Sequence, residues 1–326
     1  MLTSRRGFAA LALGLGAPAL PARAQPAGWP RKPIRLIVAF APGGATDVLT
    51  RLLAERLQAG LGQPVVVENR AGAAGIIGTE AAAHAAPDGY TLLQGTISTH
   101  AMNVPLYGAK LSYDPVRDFA PIARTSTGYN LLVVHPAVAA ANVAELIALA
   151  KARPGGLAYG SGGNGTSTHL AAEMFKTMAG VDLLHVPFRS TAPAAAALVA
   201  GEIQLMFDTS VSSLPLVRDG RVRALAVTAP RRMASMPDLP AVAETLPGFE
   251  MGTWNGLYAP AGTPPAILER IDEATRAALR DPDLIARYAA LGTEVFYAGG
   301  AEATEFLKAE ILRWTRVVRD ARITMD

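Results

Sequence analysis

The sequence predicts an α/β protein whose two domains are each a mostly parallel sheet flanked by helices. Short apolar runs typical of buried strands alternate with segments of helical spacing, and short glycine-containing turns join them. The chain has 326 residues, half of them hydrophobic, whereas a single domain commonly has about 100–150 residues. The length therefore favours two domains, and the apolar composition excludes a disordered chain.

In the first predicted domain, a strand–loop–helix unit occurs twice. Strands are expected at 34–40, 65–68 and 90–95, and helices at 46–61 and 76–86. Residues 96–127 have no regular pattern and are expected to end in a crossing to the second domain.

The second domain is predicted over residues 128–249. Its strands are expected at 131–134, 157–159, 184–188, 203–208 and 224–228, and two of its helices at 166–179 and 191–200. Asn142 should cap a further helix, because Glu145 stands three residues later, as in a capping box. Proline and glycine cluster at 230–248, which suits a return crossing. The first domain would then comprise 25–127 and 250–326, ending with a strand near 257–259 and helices at 264–279, 283–291 and 302–319.

The first 24 residues are expected to be a cleavable signal peptide. Arg5 and Arg6 precede an apolar stretch over 8–20, and Ala22-Arg23-Ala24 provides small residues for cleavage. This stretch is shorter than the about 20 apolar residues that span a bilayer. The paired arginines fit twin-arginine export, and an ordinary secretory signal is the alternative. Both routes lead to the periplasm.

Charge and cysteine content exclude several classes of function. Three arginines within residues 1–24 account for the whole excess of 30 basic over 27 acidic residues, so the rest of the chain is formally neutral. This balance gives no indication of nucleic-acid binding. The chain has no cysteine, which excludes disulfides, thiolate metal sites, cysteine nucleophiles and a lipoprotein anchor.

Each predicted domain contains one glycine-rich loop between a strand and a helix. Gly43 and Gly44 form the first loop, and residues 160–165 form the second. Glycines allow backbone N–H groups to face a ligand, and a helix N-terminus adds partial positive charge. Because ligands of open α/β sheets bind beyond the carboxyl ends of the strands, the two loops together predict a small anion. The alternative is that the glycines only make tight turns.

Thirteen residues are the candidate ligand-binding residues. Asp47 either stabilises its helix dipole or accepts a hydrogen bond from a ligand amine or a bridging water. His169 either contacts the ligand or caps its helix. Trp254 either packs between the domains or forms a wall of the cleft. The complete set is Gly43, Gly44, Ala45, Thr46, Asp47, Ser98, Ser161, Gly165, Thr166, Thr168, His169, Arg189 and Asp208.

Motifs for catalysis and cofactors are weak. Gly160–Gly165 matches G-x-G-x-x-G, but the following strand lacks the terminal acid of a dinucleotide site, and Asp182 lies at its wrong end. There is no G-x-S-x-G, P-loop lysine or H-E-x-x-H motif, and the five histidines lack metal-ligand spacing. We expect no catalytic residue, cofactor or metal. A hydrolase using Ser161 and His169 is the enzymatic alternative, although no base is predicted beside Ser161.

A series of ordered motifs over residues 30–320 resembles the Bug receptors, the substrate-binding proteins of tripartite tricarboxylate transporters. The series includes Pro42-Gly43-Gly44, Pro87-Asp88-Gly89-Tyr90-Thr91, His185-Val186-Pro187 and Trp254-Asn255-Gly256-Leu257-Tyr258-Ala259-Pro260. The resemblance implies a two-domain periplasmic-binding-protein fold of type II that closes on a small carboxylate. It also implies that the Gly43 and Gly165 loops hold one carboxylate from both sides, partly through water.

The resemblance also implies a class of ligand and a membrane partner. The expected ligand is a mono-, di- or aromatic carboxylic acid, which a monomeric receptor delivers to membrane permease subunits; a sensor for a signalling kinase is the alternative. One departure concerns the ligand, because the family usually has an aromatic residue, a lysine and a glycine where this chain has Phe188-Arg189-Ser190. Arg189 keeps a charge with bidentate geometry. It either pairs with a second acidic group of the ligand or is a solvated surface residue.

Overall fold

A computed structural model describes residues 28–320 and residue 323, so the predicted signal peptide lies outside the described residues. The described strands are β1 (Ile34–Val38), β2 (Val65–Asn69), β3 (Thr91–Thr96), β4 (Phe119–Val134), β5 (Ala158–Ser161), β6 (Leu184–Pro187), β7 (Leu205–Thr209), β8 (Arg223–Val227), β9 (Gly252–Pro260) and β10 (Thr293–Gly299). The α-helices are α1 (Ala45–Leu61), α2 (Ile76–Ala83), α3 (Asn103–Tyr107), α4 (Val143–Ala152), α5 (Ser167–Ala179), α6 (Thr191–Ala200), α7 (Ser210–Arg218), α8 (Pro265–Ala278), α9 (Pro282–Ala290) and α10 (Gly300–Asp320). A π-helical turn, Ser98–Met102, connects β3 to α3.

The strands form one mixed sheet in which β4 is shared by two halves. In the first half the order is β2-β1-β3-β9-β4, and β10 also pairs with β4. In the second half the order is β4-β7-β5-β6, and β8 also pairs with β4. Residues of β4 up to Tyr129 pair with β9, whereas those from Asn130 onward pair with β7 and β8. A single strand thus carries the chain from one half to the other.

The sheet is less parallel than the sequence predicts. Only β2-β1-β3 and β6-β5-β7 are parallel, and every pair that includes β4 or β9 is antiparallel. Parallel neighbours need a crossover connection, usually a helix, and the strand–helix repeats at 34–96 and 158–209 provide it. β4 instead runs from one half to the other without such a crossover, and β9 pairs with β3 and with the first part of β4.

Several elements were not predicted, because their sequences lack a regular apolar pattern. Only 131–134 of β4 was expected, since residues 125–130 read Thr-Ser-Thr-Gly-Tyr-Asn and contain no aliphatic side chain. α7 has three serines and an internal proline, Pro215, which are poor helix formers. Burial of Val211 and Leu214 stabilises it nevertheless. β10 is interrupted by a bulge between Val295 and Ala298 that breaks the alternation.

Local sequence signals that act over a few residues are confirmed. Asn142 caps α4 by accepting a hydrogen bond from the N–H of Glu145, and the Glu145 carboxylate accepts from Ala141 N and Asn142 Nδ2. β1 is buried except at Arg35, as its apolar run predicts. The apolar stripe of α1, with Leu49, Leu53 and Leu57, packs into the core of the first half.

The fold brings the starts of several helices to one place. α1, α5, α6 and α7 follow directly after β1, β5, β6 and β7, and the π-helical turn follows β3. Parallel strands end at the same edge of a sheet, so these helices begin along that edge. Among the described residues, no helix is both long and apolar enough to cross a membrane.

Candidate ligand-binding site

A cavity of about 700 Å³, its open mouth included, lies where the two halves of the sheet face each other. Four helices contribute their first residues to its lining, and the end of β3 with the turn after it, strands β4 and β9, Phe40, Gly162 and Thr293 also contribute. The polar residues at the helix starts are Thr46, Ser98, Thr166, Ser167, Thr168, Ser190, Thr191, Thr209 and Ser210. Among the described residues that line this cleft, none has a charged side chain.

The four helices that begin at the cleft have the same kind of N-terminus. The backbone N–H groups at the starts of α1, α5, α6 and α7 do not donate to a side chain at the N-cap position of the same helix. Away from the cleft, Asn142 caps α4 and Asp281 caps α9, whereas α2, α3 and α8 have no side-chain cap either. A helix N-terminus has free N–H donors and partial positive charge. The cleft therefore concentrates donors without containing a cation.

The Asp47 carboxylate holds the first glycine loop from outside the cleft lining. The N–H of Gly43, whose φ is 77°, donates to Asp47 Oδ2 over 2.9 Å. The Asp47 carboxylate, in a residue only 3% exposed, also accepts from Arg51 Nε and Asn69 Nδ2. Burial acts to raise the pKa of Asp47, but the hydrogen bonds from Arg51, Gly43 and Asn69 outweigh it and hold the pKa below its usual range. Asp47 thus fixes the loop and lies outside the cleft lining.

The second glycine loop is held by neutral groups. The N–H of Gly165 donates to His169 Nδ1 over 3.1 Å, and the N–H of Gly162 donates to Thr168 Oγ1 over 2.9 Å. Burial lowers the pKa of His169, which keeps Nδ1 free to accept. His169 therefore supports the loop from the first turn of α5, and it too lies outside the cleft lining.

Ser161 has a histidine beside it, although the sequence predicts no base there. Its Oγ lies 2.6 Å from Nε2 of His185, not of His169, and it accepts a hydrogen bond from Gly163 N. The His185 ring stacks between Tyr159 and His169, with centroids 4.7 and 4.3 Å away. Burial, together with nearby His169, lowers the pKa of His185 to about 4. Ser161 is fully buried behind the loop and does not line the cleft.

Arg189 and Asp208 both lie outside the cleft lining, one at the surface and the other buried. Arg189 is exposed and lines an adjoining groove, which shares Phe40 and Gly162 with the cleft. Asp208 is buried behind the wall, where its Oδ1 accepts from Thr209 N over 2.8 Å. Burial raises the pKa of Asp208 to about 7.

The structure thus divides the thirteen candidate residues into two groups. Six line the cleft, namely Gly44, Ala45, Thr46, Ser98, Thr166 and Thr168. The other seven support the loops or lie nearby, namely Gly43, Asp47, Ser161, Gly165, His169, Arg189 and Asp208. The candidates that line the cleft are therefore hydroxyl residues or small residues with only backbone polar groups. The charged candidates Asp47, Arg189 and Asp208 do not line it.

Several cleft residues were missed by sequence reasoning. They include Ser126, Thr127, Ser190, Thr191, Thr209, Ser210 and Asn255. At the starts of α6 and α7, hydroxyl residues stand between a strand and a helix, as they do in the glycine loops, but without glycine. This pattern could have identified the missed residues of these two helices. Ser126 and Thr127 carried no comparable signal, because β4 was not recognised as a strand over those residues. Trp254, one of whose expected positions was a cleft wall, lines the cleft.

Direct contacts join the two halves at the cleft. The N–H of Ala45, at the start of α1, donates to Thr191 Oγ1 over 3.2 Å. The N–H of Ser167, at the start of α5, donates to Ser98 Oγ over 3.1 Å. Within the described residues, no group of three or more histidine, aspartate or glutamate side chains has the arrangement of a metal site.

The sequence has known relatives along most of its length. Residues 49–323 match the profile of the family described as Tripartite tricarboxylate transporter family receptor (TctC). Protein BugT of Bordetella pertussis is 36% identical over 294 residues, which cover 90% of either chain.

Solved structures have the same fold. The R. palustris protein Rpa4515 with adipate has a TM-score of 0.88 and 36% identity, covering 91% of this chain and 99% of that chain. MatC (Rpa3494) from Rhodopseudomonas palustris, with bound malate, has a TM-score of 0.85 and 34% identity, covering 89% of this chain and 100% of that chain. These similarities confirm the predicted two-domain periplasmic-binding-protein fold of type II and the resemblance found from the motifs.

Proposed function

The chain belongs to the tripartite tricarboxylate transporter receptor family, and on that premise we propose that it is a periplasmic receptor for a small organic carboxylate. It captures the acid in the cleft and delivers it to the membrane permease subunits of a tripartite tricarboxylate-type transporter. Similarity to structures that contain adipate and malate supports this class of ligand. The receptor acts as an exported monomer, and the predicted signal peptide supports its export.

The observation that carries this proposal is the uncharged cleft at the start of four helices. A carboxylate spreads one charge over two oxygens, so donors from the two halves can each bind one oxygen. Helix N-termini favour such an anion electrostatically without a lysine or arginine. A nucleotide would instead bring several phosphate charges to a cleft whose described lining has no cationic side chain.

We further propose that the domains are 25–127 with 250–326 and 128–249, closing on the ligand about the segments that join them. The change of β4 from β9 to β7 and β8 after Tyr129 supports the first junction. The start of β9 at Gly252 supports the second. Two joining segments form a hinge that opens and closes with little sliding.

The binding residues in this proposal are those that line the cleft, with their supporting neighbours behind them. The first glycine loop, with Gly44, and the second, which leads to Thr166, hold the carboxylate. Asp47 and His169 position these loops. In a longer ligand, the distal end extends past Phe40 and Gly162 into the adjoining groove, where Arg189 pairs with a second acidic group.

A receptor without catalysis fits Ser161 and His185 better than a hydrolase does. A serine nucleophile must reach its substrate and needs a base whose pKa lies near the working pH. Ser161 is fully buried, and burial lowers the pKa of His185 to about 4. Their hydrogen bond serves to join β5 to β6 behind the second loop.

A ligand panel tests the function directly. We expect thermal melting of the purified protein to rise with mono- or dicarboxylates, aromatic acids included, and not with NAD, ATP or neutral sugars. A ligand that binds only the folded state stabilises it by about 2.7 kcal/mol at a hundredfold excess over Kd, which is a shift of a few degrees. Native mass spectrometry should show the bound acid unaltered. A shift with a neutral sugar, or turnover of a bound acid, would contradict the proposal.

A further inference from the structure

Ser190 has a buried hydroxyl that no group in the described chain satisfies. The residue is 2% exposed and lines the cleft, yet its Oγ has no hydrogen-bond partner. It occupies the N-cap position of α6 with an extended backbone, at φ −169° and ψ 178°, but its side chain makes no capping bond. Serine is favoured at this position because its hydroxyl usually accepts from its own helix. A buried polar group is usually bonded, so this hydroxyl is available to a ligand in the cleft that the residue lines.

Ser190 also faces the glycine loop of the other half. A β-carbon placed on Gly44 would lie 3.1 Å from Ser190 Cβ and 3.4 Å from Ser190 Oγ. The next residues along both segments are hydrogen-bonded, since Ala45 N donates to Thr191 Oγ1. The start of α1 and the start of α6 therefore meet across the cleft, and the free hydroxyl lies beside the backbone of Gly44.

We propose that Ser190 determines affinity and specificity by donating its hydroxyl to the carboxylate held at the start of α1, while Gly44 provides the space for this approach. The inference rests on the proposed function, because it assumes that an anion binds at the Gly44 loop. Gly44 itself has φ −73° and ψ 167°, a conformation that any residue can adopt. Its need for glycine therefore comes from the neighbouring Ser190 and not from the backbone.

The first experiment measures affinity by calorimetry for whichever panel acid the wild-type protein binds, with adipate and malate as the initial probes. We expect Ser190→Ala to weaken binding at least tenfold, as for loss of a hydrogen bond to a charged partner. Its melting temperature without added acid should be unchanged or higher, because an unsatisfied hydroxyl is removed. Ser235→Ala, at an exposed serine outside the cleft, is the matched control and should bind as wild type does.

The second experiment tests the contact between the two residues. Gly44→Ala should weaken binding, because its new methyl group would lie 3.1 Å from Ser190 Cβ. Ser190→Gly removes that Cβ, so the double variant should bind no more weakly than Ser190→Gly alone. Independent losses that multiply in the double variant would overturn the proposed contact.

The two proposals fail in different ways. Wild-type affinity in a folded Ser190→Ala protein would overturn the role of Ser190 and leave the receptor function intact. Failure of the wild-type protein to bind any carboxylate of the panel would instead overturn the receptor function, and the role of Ser190 with it.

Discussion

The two glycine loops of the cleft present the same backbone donors but are held from behind in different ways. In the first, Asp47 accepts hydrogen bonds from Gly43, Asn69 and Arg51, so an ionised side chain holds the loop. In the second, His169 and Thr168 accept from the glycines, so neutral side chains hold it. Asp47 and His169 lie outside the cleft lining, whereas Thr168 contributes to it.

This difference indicates that the ligand's charge and the protein's own charges are kept apart. Asp47 would repel a carboxylate if it faced the cleft, but its charge is balanced by Arg51 and by two neutral donors on the far side of the loop. Hydrogen bonds to a charged group are stronger than neutral ones. The first loop should therefore be the more firmly held of the two, and the second the more sensitive to acid.

Removing the two supporting side chains should give the largest effect. Asp47→Leu leaves Gly43 N and Arg51 Nε without this acceptor and Asn69 Nδ2 with only the carbonyl of Phe40, and we expect a loss of about 3 kcal/mol or more in the free energy of unfolding. His169→Leu leaves only Gly165 without its acceptor, which should cost about 1–3 kcal/mol. Urea denaturation at pH 7.5 measures both. Asp47→Asn keeps an acceptor for Gly43, so its free energy of unfolding should lie between those of wild type and Asp47→Leu. Equal losses of stability in Asp47→Leu and His169→Leu would contradict the difference between the loops.

Acid should weaken the second half of the molecule through its histidines. His185 has a folded-state pKa of about 4, and the pKa of His169 is also lowered, whereas an unfolded histidine titrates near 6.5. Between these values the unfolded chain binds protons that the folded chain does not. The free energy of unfolding should therefore fall as the pH drops from about 6.5 to 4. Around the two rings, Glu173 acts to raise their pKa values and Lys176 to lower them.

Urea denaturation at pH 7.5, 6 and 4.5 measures this slope. We expect it to be shallower in His185→Gln, which can still hydrogen-bond Ser161 but cannot titrate. Asp208 acts in the opposite sense, since its folded pKa of about 7 makes the folded chain bind the extra proton between about pH 4 and 7. The slope should therefore be compared with and without His185→Gln in proteins that both carry Asp208→Asn, so that Asp208 does not contribute to the difference. His100, with a pKa lowered by burial to about 3, adds to the slope in both. Parallel slopes would show that His185 does not contribute.

The smallest effect is expected at Arg189, outside both loops. Arg189→Gln should weaken binding of dicarboxylates a few-fold, because ion pairs at exposed sites contribute about 0–1 kcal/mol. Monocarboxylates, which do not reach the adjoining groove, should bind the variant as they bind wild type. Calorimetry at low and high salt measures the difference, which salt should reduce. An equal loss for both classes of acid would place Arg189 at the shared carboxylate instead of the distal end.

Much of the fold could be predicted because its signals are local. The signals include the apolar run of β1, the spacing of Leu49, Leu53 and Leu57 in α1, and the N-cap residue Asn142 of α4, which all depend on residues close together in the chain. The glycine loops and their places in the strand–helix order were likewise visible. From these features the sequence by itself determined the α/β class, the order of the repeated units and the presence of one glycine loop in either half.

The tertiary structure decided which side chains of those loops reach the cleft. Asp47 and Thr46 are neighbours in sequence, yet only Thr46 lines the cleft, because Asn69 and Arg51 hold the Asp47 carboxylate on the other side. Ser161 pairs with His185, which is 24 residues away and is brought beside it by the pairing of β5 with β6. Ser190 meets Gly44 only because the start of α6 comes to face the start of α1. Such contacts depend on strand order and on how the halves face each other, and these are set by packing between residues far apart in the chain.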